Sequence, residues 1–443
     1  MATVGYGQGG QYADHREAAA KRPSRLVEWK LLALVGGYGL VGASALYLGS
    51  GGALDRMVIW VGLISIGAYF ALSLYWYFAR YRGDYFLLAL VALLTTTGLV
   101  FLFRLNPEYG MRQFIWLLIG LTALLVITRF FINFRFLGDY KYLYALAGIV
   151  ALVMPVFIGI EQGGAKSWLS LGYFQLQPSE FVKILVVLFL ASYLSENRAI
   201  LAATDRQWSI FSLPGLREWS PLLVMLGIAL LMLVFQNDLG AALIYFSTFL
   251  AIIYVATSRL SYIFAGMVLF AGSVVASYHV LSHVQARVAI WLDPWATIDT
   301  SGYQIAQSLF AIDAGGLIGS GLGLGVPYYI PAVHTDLIFA AICEEMGFVG
   351  GVSVILIFLF IVYRGIRIAL KAQDDFAALT AIGLTALLGL QVFIIISGVT
   401  KFLPLTGITL PFVSYGGSSL VANFVLLGLL LNISHEEKQY HEA

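Results

Sequence analysis

The sequence predicts an all-α integral membrane protein, a polytopic bundle of twelve transmembrane helices. Three observations predict it. Of 443 residues, 60% are hydrophobic and only 11% charged, where a soluble domain carries about 25% charged residues. Apolar stretches of about 20 residues, long enough to cross a hydrocarbon core, recur along most of the chain. Lysine and arginine fall unevenly on the two sides that those stretches define.

The spans fall at 31–49, 57–79, 84–103, 113–131, 142–160, 180–195, 220–236, 239–257, 262–282, 337–363, 377–400 and 419–432. The last is short, and only a tight turn separates 220–236 from 239–257. With the N-terminus in the cytoplasm, inner segments hold eighteen of the 25 Lys and Arg. Outer segments hold six (Arg56, Arg104, Arg112, Lys166, Arg287 and Lys401), and Lys183 lies within a span. One miscounted helix would reverse every later loop and spoil this bias, so helix count and orientation support each other. The expected protein is multi-pass in the bacterial cytoplasmic membrane, with both termini in the cytoplasm.

A net charge of +1 offers no basic face for nucleic acid. The single cysteine, Cys343, rules out an intramolecular disulfide and any multi-cysteine metal site. Residues 1–30 lack the apolar core and cleavage site of a secretory signal and read as a disordered cytoplasmic tail. Spans at 31–49 and 57–79 occupy 31–83. The polar cytoplasmic loop 196–219 has room for a short surface helix. The long outer segment is 283–336, and unstructured loops of that length tend to be functional. Residues 436–443 form a second cytoplasmic tail.

Polar residues at membrane depth are costly and mark function. Here they gather in four groups at the outer ends of spans, which points to one outward-facing site. The first runs Gly163-Gly164-Ala165-Lys166-Ser167-Trp168 and then Gln177-Pro178-Ser179-Glu180-Phe181-Val182-Lys183. Ser179 is placed to cap the next span, Glu180 and Lys183 to neutralise each other, and Lys166 with Trp168 to anchor at the interface. The second, Gln236-Asn237-Asp238-Leu239-Gly240, is a turn in which Asp238 is either a cap or a site residue. The third ends in His334-Thr335-Asp336, with Glu344 and Glu345 in the following helix. A carboxylate at a membrane boundary gains proton affinity by desolvation, as a general base requires, so Asp336 is the leading candidate; its alternative is a helix cap. Glu344 and Glu345 read as an ion-pair system, one of them with Lys183 or Lys401. The fourth group runs from Lys401 to Ser419 and includes Ser414. Glycines 315, 316, 319, 321, 323 and 325 lack the Lys-Ser/Thr ending of a nucleotide loop and read as a re-entrant or surface segment.

Two functions fit these residues: an enzyme on a lipid-linked extracytoplasmic substrate, or a transporter or flippase. A carrier places key polar groups near the midplane; most here lie at the rim, which favours the enzyme.

The motifs GA-x-x-W-x-x-LG and QPSEFVK (164–183), Q-x-DLG-x-AL (236–243), WLDPW (291–295), GYQ-x-x-QSL-x-AI (302–312), HTD-x-IFA-x-I-x-EE-x-GF (334–348) and LP-x-TGI-x-LPF-x-SYGGSSL (403–420) resemble the SEDS (shape, elongation, division and sporulation) family. The resemblance covers about 84–435. It implies a ten-helix core, here preceded by two extra helices, and a peptidoglycan glycosyltransferase. Such an enzyme polymerises lipid II into β-1,4 glycan at the outer membrane face, inverts MurNAc C1 and releases undecaprenyl pyrophosphate, for elongation or division; a lipid II flippase is the alternative. It puts the family's essential acid on Asp336. It extends the substrate-binding set to Trp168, Lys166, Glu180, Lys183, Asp238, Gln304 and Glu345, and the outer polar groups themselves add His334, Thr335, Lys401 and Ser414 as substrate-binding candidates. No cofactor is certain. Lys166, Lys401, Arg287 or a divalent cation (Mg or Mn) is expected to meet the pyrophosphate, and a class B penicillin-binding protein is the implied partner. Asn237, Lys401 and the stretch from Asp293 to Gly302, with Asp293 and Asp299, depart from the family pattern.

Overall fold

The computed structural model describes residues 24–49, 56–162, 164–172, 174–202 and 216–442. Its helices are α1 (Leu26–Gly49), α2 (Met57–Phe78), α3 (Leu87–Leu105), α4 (Pro107–Phe130), α5 (Lys141–Ile158), α6 (Pro178–Ala202), α7 (Leu216–Phe235), α8 (Leu239–Thr257), α9 (Leu260–Val280), α10 (Ser282–Leu292), α11 (Tyr303–Gly315), α12 (Ile338–Lys371), α13 (Asp375–Val399) and α14 (Gly417–Glu442). Among the described residues, eleven of these are long and apolar enough to cross a membrane, and the apolar part of α7, Ser220–Phe235, is shorter. Those twelve coincide with the expected spans. The first begins at Leu26, inside the expected tail, and the last extends well past the short stretch read at 419–432. Residues 1–23 of that tail, and the middle of the 196–219 loop, lie outside the described residues.

Helix α14 is the axis of the bundle, with 89% of its span buried, against 11% for α9. It packs chiefly on α4 and also on α6, while α12 lies along α13. Helix α9 touches little besides α8 and α10, so most of its apolar surface faces lipid. The two extra helices pack on each other and on α3 and α4. A buried ion pair, Arg25 to Glu28 at 2.6 Å, sits at the head of α1, and Arg25 also donates to the Tyr81 carbonyl, just past α2, at 2.7 Å.

The outer segment is not a structureless loop. It contains α10, α11 and two 3-10 turns, Trp295–Thr297 and Pro327–Tyr329. Residues 160–176 form a three-stranded antiparallel sheet, β1 (Ile160–Gln162), β2 (Ala165–Leu171) and β3 (Phe174–Leu176). Its strands are short, three, seven and three residues, and no apolar alternation announces them.

Helix α12 breaks at Gly347, whose φ of 68° and ψ of −169° belong to glycine. A break at membrane depth frees backbone groups that must be satisfied within the protein. The glycine-rich segment does this. Ser320 and Gly321 donate to the carbonyls of Glu344 and Glu345 at 2.9 and 3.0 Å, and Phe348 and Val349 donate to Gly316 and Leu317. The glycines therefore form a strap across the broken helix.

Candidate active site

Hydrogen bonds join the four polar groups at one end of the bundle. The Lys166 amide donates to the Gln236 carbonyl at 3.0 Å, tying β2 to the α7–α8 turn. Gln177 reaches the same turn, its Nε2 donating to Asp238 Oδ2 at 3.0 Å, and its amide donates to Ser418 Oγ at 3.0 Å. Pro178 opens α6, where its missing N–H costs nothing. Ser179 is thus within the first turn and is not the cap; its carbonyl accepts from the Tyr245 hydroxyl at 2.6 Å. Lys183 is buried and donates to Glu180 at 2.6 Å and to Gln391 at 2.9 Å, a closed set. Trp168 is half-buried opposite Ile160. The Lys166 ammonium is exposed and donates to the Val156 carbonyl at 3.0 Å.

Asp238 caps α8, accepting from the Ala241 amide at 3.0 Å. Its burial pushes the carboxyl above the usual range, against the pull of that amide. Asn237 occupies the left-handed region at φ 59°, which its short polar side chain tolerates. Lys401, at φ 60°, takes the same conformation just past α13. Its carbonyl accepts from Trp291 Nε1 at 3.2 Å, tying α10 to α13. Asp293 accepts from the amides of Trp295 and Ala296 and so starts the following 3-10 turn.

The segment that carries Asp336 is clamped. Ser414 Oγ donates to the Thr335 carbonyl at 2.5 Å, and the Tyr415 amide donates to the His334 carbonyl at 2.8 Å. The His334 ring stacks on Tyr109, with centroids 4.3 Å apart, and burial lowers its proton affinity. Gln304 on α11 donates to the Pro331 carbonyl at 3.3 Å. Asp336 itself caps nothing: Leu337 occupies the cap position of α12, without a side-chain bond. The half-buried Asp336 carboxyl is pushed up to about 6 by burial, opposed by the Thr335 hydroxyl and the Arg287 guanidinium. A Cβ on Gly407, whose φ is 74°, would lie 3.6 Å from Asp336 Oδ2, so the TGI motif lets backbone line the acid. Arg287, half-buried on α10, makes no hydrogen bond or ion pair among the described residues, yet its charge acts on both Asp336 and Asp238.

The deeper glutamates are different. Glu345 accepts from Arg104 Nε at 3.1 Å and from the Gly323 amide at 3.0 Å. Glu344 Oε1 accepts from the Val326 amide at 2.6 Å, while its buried Oε2 has no partner. The expected pairing with Lys183 or Lys401 does not occur: Arg104 is the cation, because α3 packs directly against α12. Arg104, Tyr109 and Gln391 went unread in the sequence as partners of these motifs. Gln391, a lone amide deep in an apolar span, was the one with a legible signal. Among the described residues, no group of three or more His, Cys, Asp or Glu is arranged to hold a metal ion.

The FtsW/RodA/SpoVE family of cell cycle proteins matches residues 83–439. The chain is similar to the peptidoglycan glycosyltransferase RodA of Mycobacterium tuberculosis, 41% identical over 371 residues, which are 81% of this chain and 79% of the relative. It is also similar to a probable peptidoglycan glycosyltransferase FtsW of Geobacter metallireducens, 33% identical over 81% of this chain and 96% of the relative. In solved structures, it resembles a chain of a peptidoglycan synthase complex that coordinates polymerization and crosslinking. That likeness has a TM-score of 0.67 and 28% identity, and it covers 80% of this chain and 98% of that one. The match takes in ten of the twelve spans and every motif around Asp336, and on it the chain belongs to the FtsW/RodA/SpoVE family.

Proposed function

We propose that this chain is a peptidoglycan glycosyltransferase that polymerises lipid II at the outer face of the cytoplasmic membrane. The observation that carries this reading is Asp336, an acid that burial pushes up to about 6 and on which the charge of the unpartnered Arg287 acts. In the proposed reaction, Asp336 takes the proton from GlcNAc O4 of the acceptor. That oxygen attacks MurNAc C1 of the donor, and the bond from C1 to the pyrophosphate oxygen breaks. Attack opposite an α-linked leaving group gives a β-1,4 link, an inverting displacement with one base. Undecaprenyl pyrophosphate departs with its charge facing Arg287, and the exposed Lys166 stands at the rim. Fixed charge placed where negative charge develops is a main source of rate enhancement.

Gln304, Ser414 and Tyr415 act as positioning residues in this scheme, since they hold the strand that carries Asp336. Glu180, Lys183 and Asp238 support the floor through bonds that are already filled. Both termini lie in the cytoplasm, as the charge bias supports. A class B penicillin-binding protein cross-links the product, a reading supported by the likeness to a chain of a synthase complex.

The test is purified protein in liposomes with labelled lipid II, alone and with candidate class B transpeptidases. A ladder of glycan products is expected. Absence of polymer with every partner, together with lipid II translocation, would establish the flippase instead.

A further inference from the structure

At the opposite end of the bundle, a cavity of about 50 Å³ opens where α12, α14 and the start of α3 meet. Its charged lining is Asp84, Arg364, Arg367, Lys371, Glu437 and Lys438. Two of the four cations are spoken for. Arg364 Nε donates to Asp84 at 2.9 Å, and Lys371 donates to Glu437 at 3.0 Å. Asp84 has a second duty, accepting from the amides of Phe86 and Leu87 at the head of α3. Arg367 and Lys438 have no carboxylate partner among the described residues. Arg367 makes only a long 3.4 Å contact with the Tyr363 hydroxyl. Lys438 lies 4.0 Å over the Tyr85 ring and 3.4 Å from the Gly83 carbonyl. Two positive charges are therefore left over around a hollow suited to one small anion.

The setting selects among anions. Arg367 lies one turn from Tyr363 and Leu370, and Leu359, Tyr363, Ile366 and Leu370 carry an exposed apolar stripe along α12 to the edge of the cavity. An anion with acyl chains satisfies both features: its phosphate enters the cavity and its chains lie on the stripe. Basic pockets between transmembrane helices at the cytoplasmic surface suit anionic lipid headgroups. The geometry points to a specific site for the phosphate headgroup of an anionic membrane lipid, held by Arg367 and Lys438 at the cytoplasmic end of α12 and α14. It is separate from the outward-facing acid site and holds whether or not the glycosyltransferase reading does.

The full chain in nanodiscs of phosphatidylcholine doped with phosphatidylglycerol tests this, with retained lipid counted by native mass spectrometry. Each unpaired surface cation contributes about a fivefold preference for an anionic lipid, so the pair should give about thirtyfold. The double variant R367Q/K438Q should lose that preference and keep its thermal transition, because neither charge holds an ion pair. The charge-preserving R367K/K438R should retain it. Equal phosphatidylglycerol retention by R367Q/K438Q and the unmodified chain overturns the site. Displacement of phosphatidylglycerol by an equal concentration of inorganic phosphate overturns the lipid assignment in favour of a soluble anion.

Discussion

Asp336 and Glu345 are neighbours on one stretch of chain, and the protein treats them in opposite ways. Glu345 is enclosed: Arg104 and the Gly323 amide occupy its oxygens, and the glycine strap covers the broken helix beside it. Asp336 is held from behind, through the backbone of His334 and Thr335, while its carboxyl faces Gly407 and the charge of Arg287. A carboxylate with filled bonds holds structure together. One whose backbone is fixed and whose carboxyl meets only the adjacent Thr335 hydroxyl, with no ion pair among the described residues, is prepared for a proton. Burial alone does not separate the two, since Glu345 is the more buried; what separates them is whether partners are already in place.

This contrast can be broken by substitution. Asp336→Asn should lower lipid II polymerisation by about a thousandfold, the span of a lost general base, with an unchanged thermal transition. Glu345→Gln should do the reverse. It leaves Arg104 without its partner and should cost about 3 kcal/mol of stability, read by thermal unfolding in detergent, while activity per folded molecule stays within a few-fold. Arg287→Gln should reduce turnover by about a hundredfold; an unchanged rate would move the pyrophosphate to Lys166 or Lys401. Gly407→Ala forces a side chain into the left-handed region, at a cost of about 1 kcal/mol, and sets a methyl against Asp336. A small loss in both stability and rate should follow.

The fold was legible because a membrane constrains sequence heavily: twelve apolar spans and a charge bias leave few topologies. The helix at 419–432 looked short because its polar end, with Asn432, His435 and Glu437, is buried against neighbouring elements, a tertiary effect with no local signature. Asp336 could be singled out from its place at a helix mouth. Its freedom from capping could not, since that depends on Leu337 taking the cap position. Glu345 was read as half of an ion pair, but its partner was not, because Arg104 lies far away in sequence and only the packing of α3 on α12 brings it near. Ser179 shows a limit of local rules: the helix begins at Pro178, two residues earlier than a Ser179 cap would start it.

The measurement closest to the central claim is the pH dependence of lipid II polymerisation, because it reads the titration of the acid itself. A base must be deprotonated to act, so the rate should be full above the Asp336 value of about 6 and fall as pH drops through it. The account predicts an acid limb with its midpoint near 6 that persists unchanged in Glu345→Gln. A rate that stays flat down to the ordinary carboxylate range, or a limb that moves with Glu345, would contradict it.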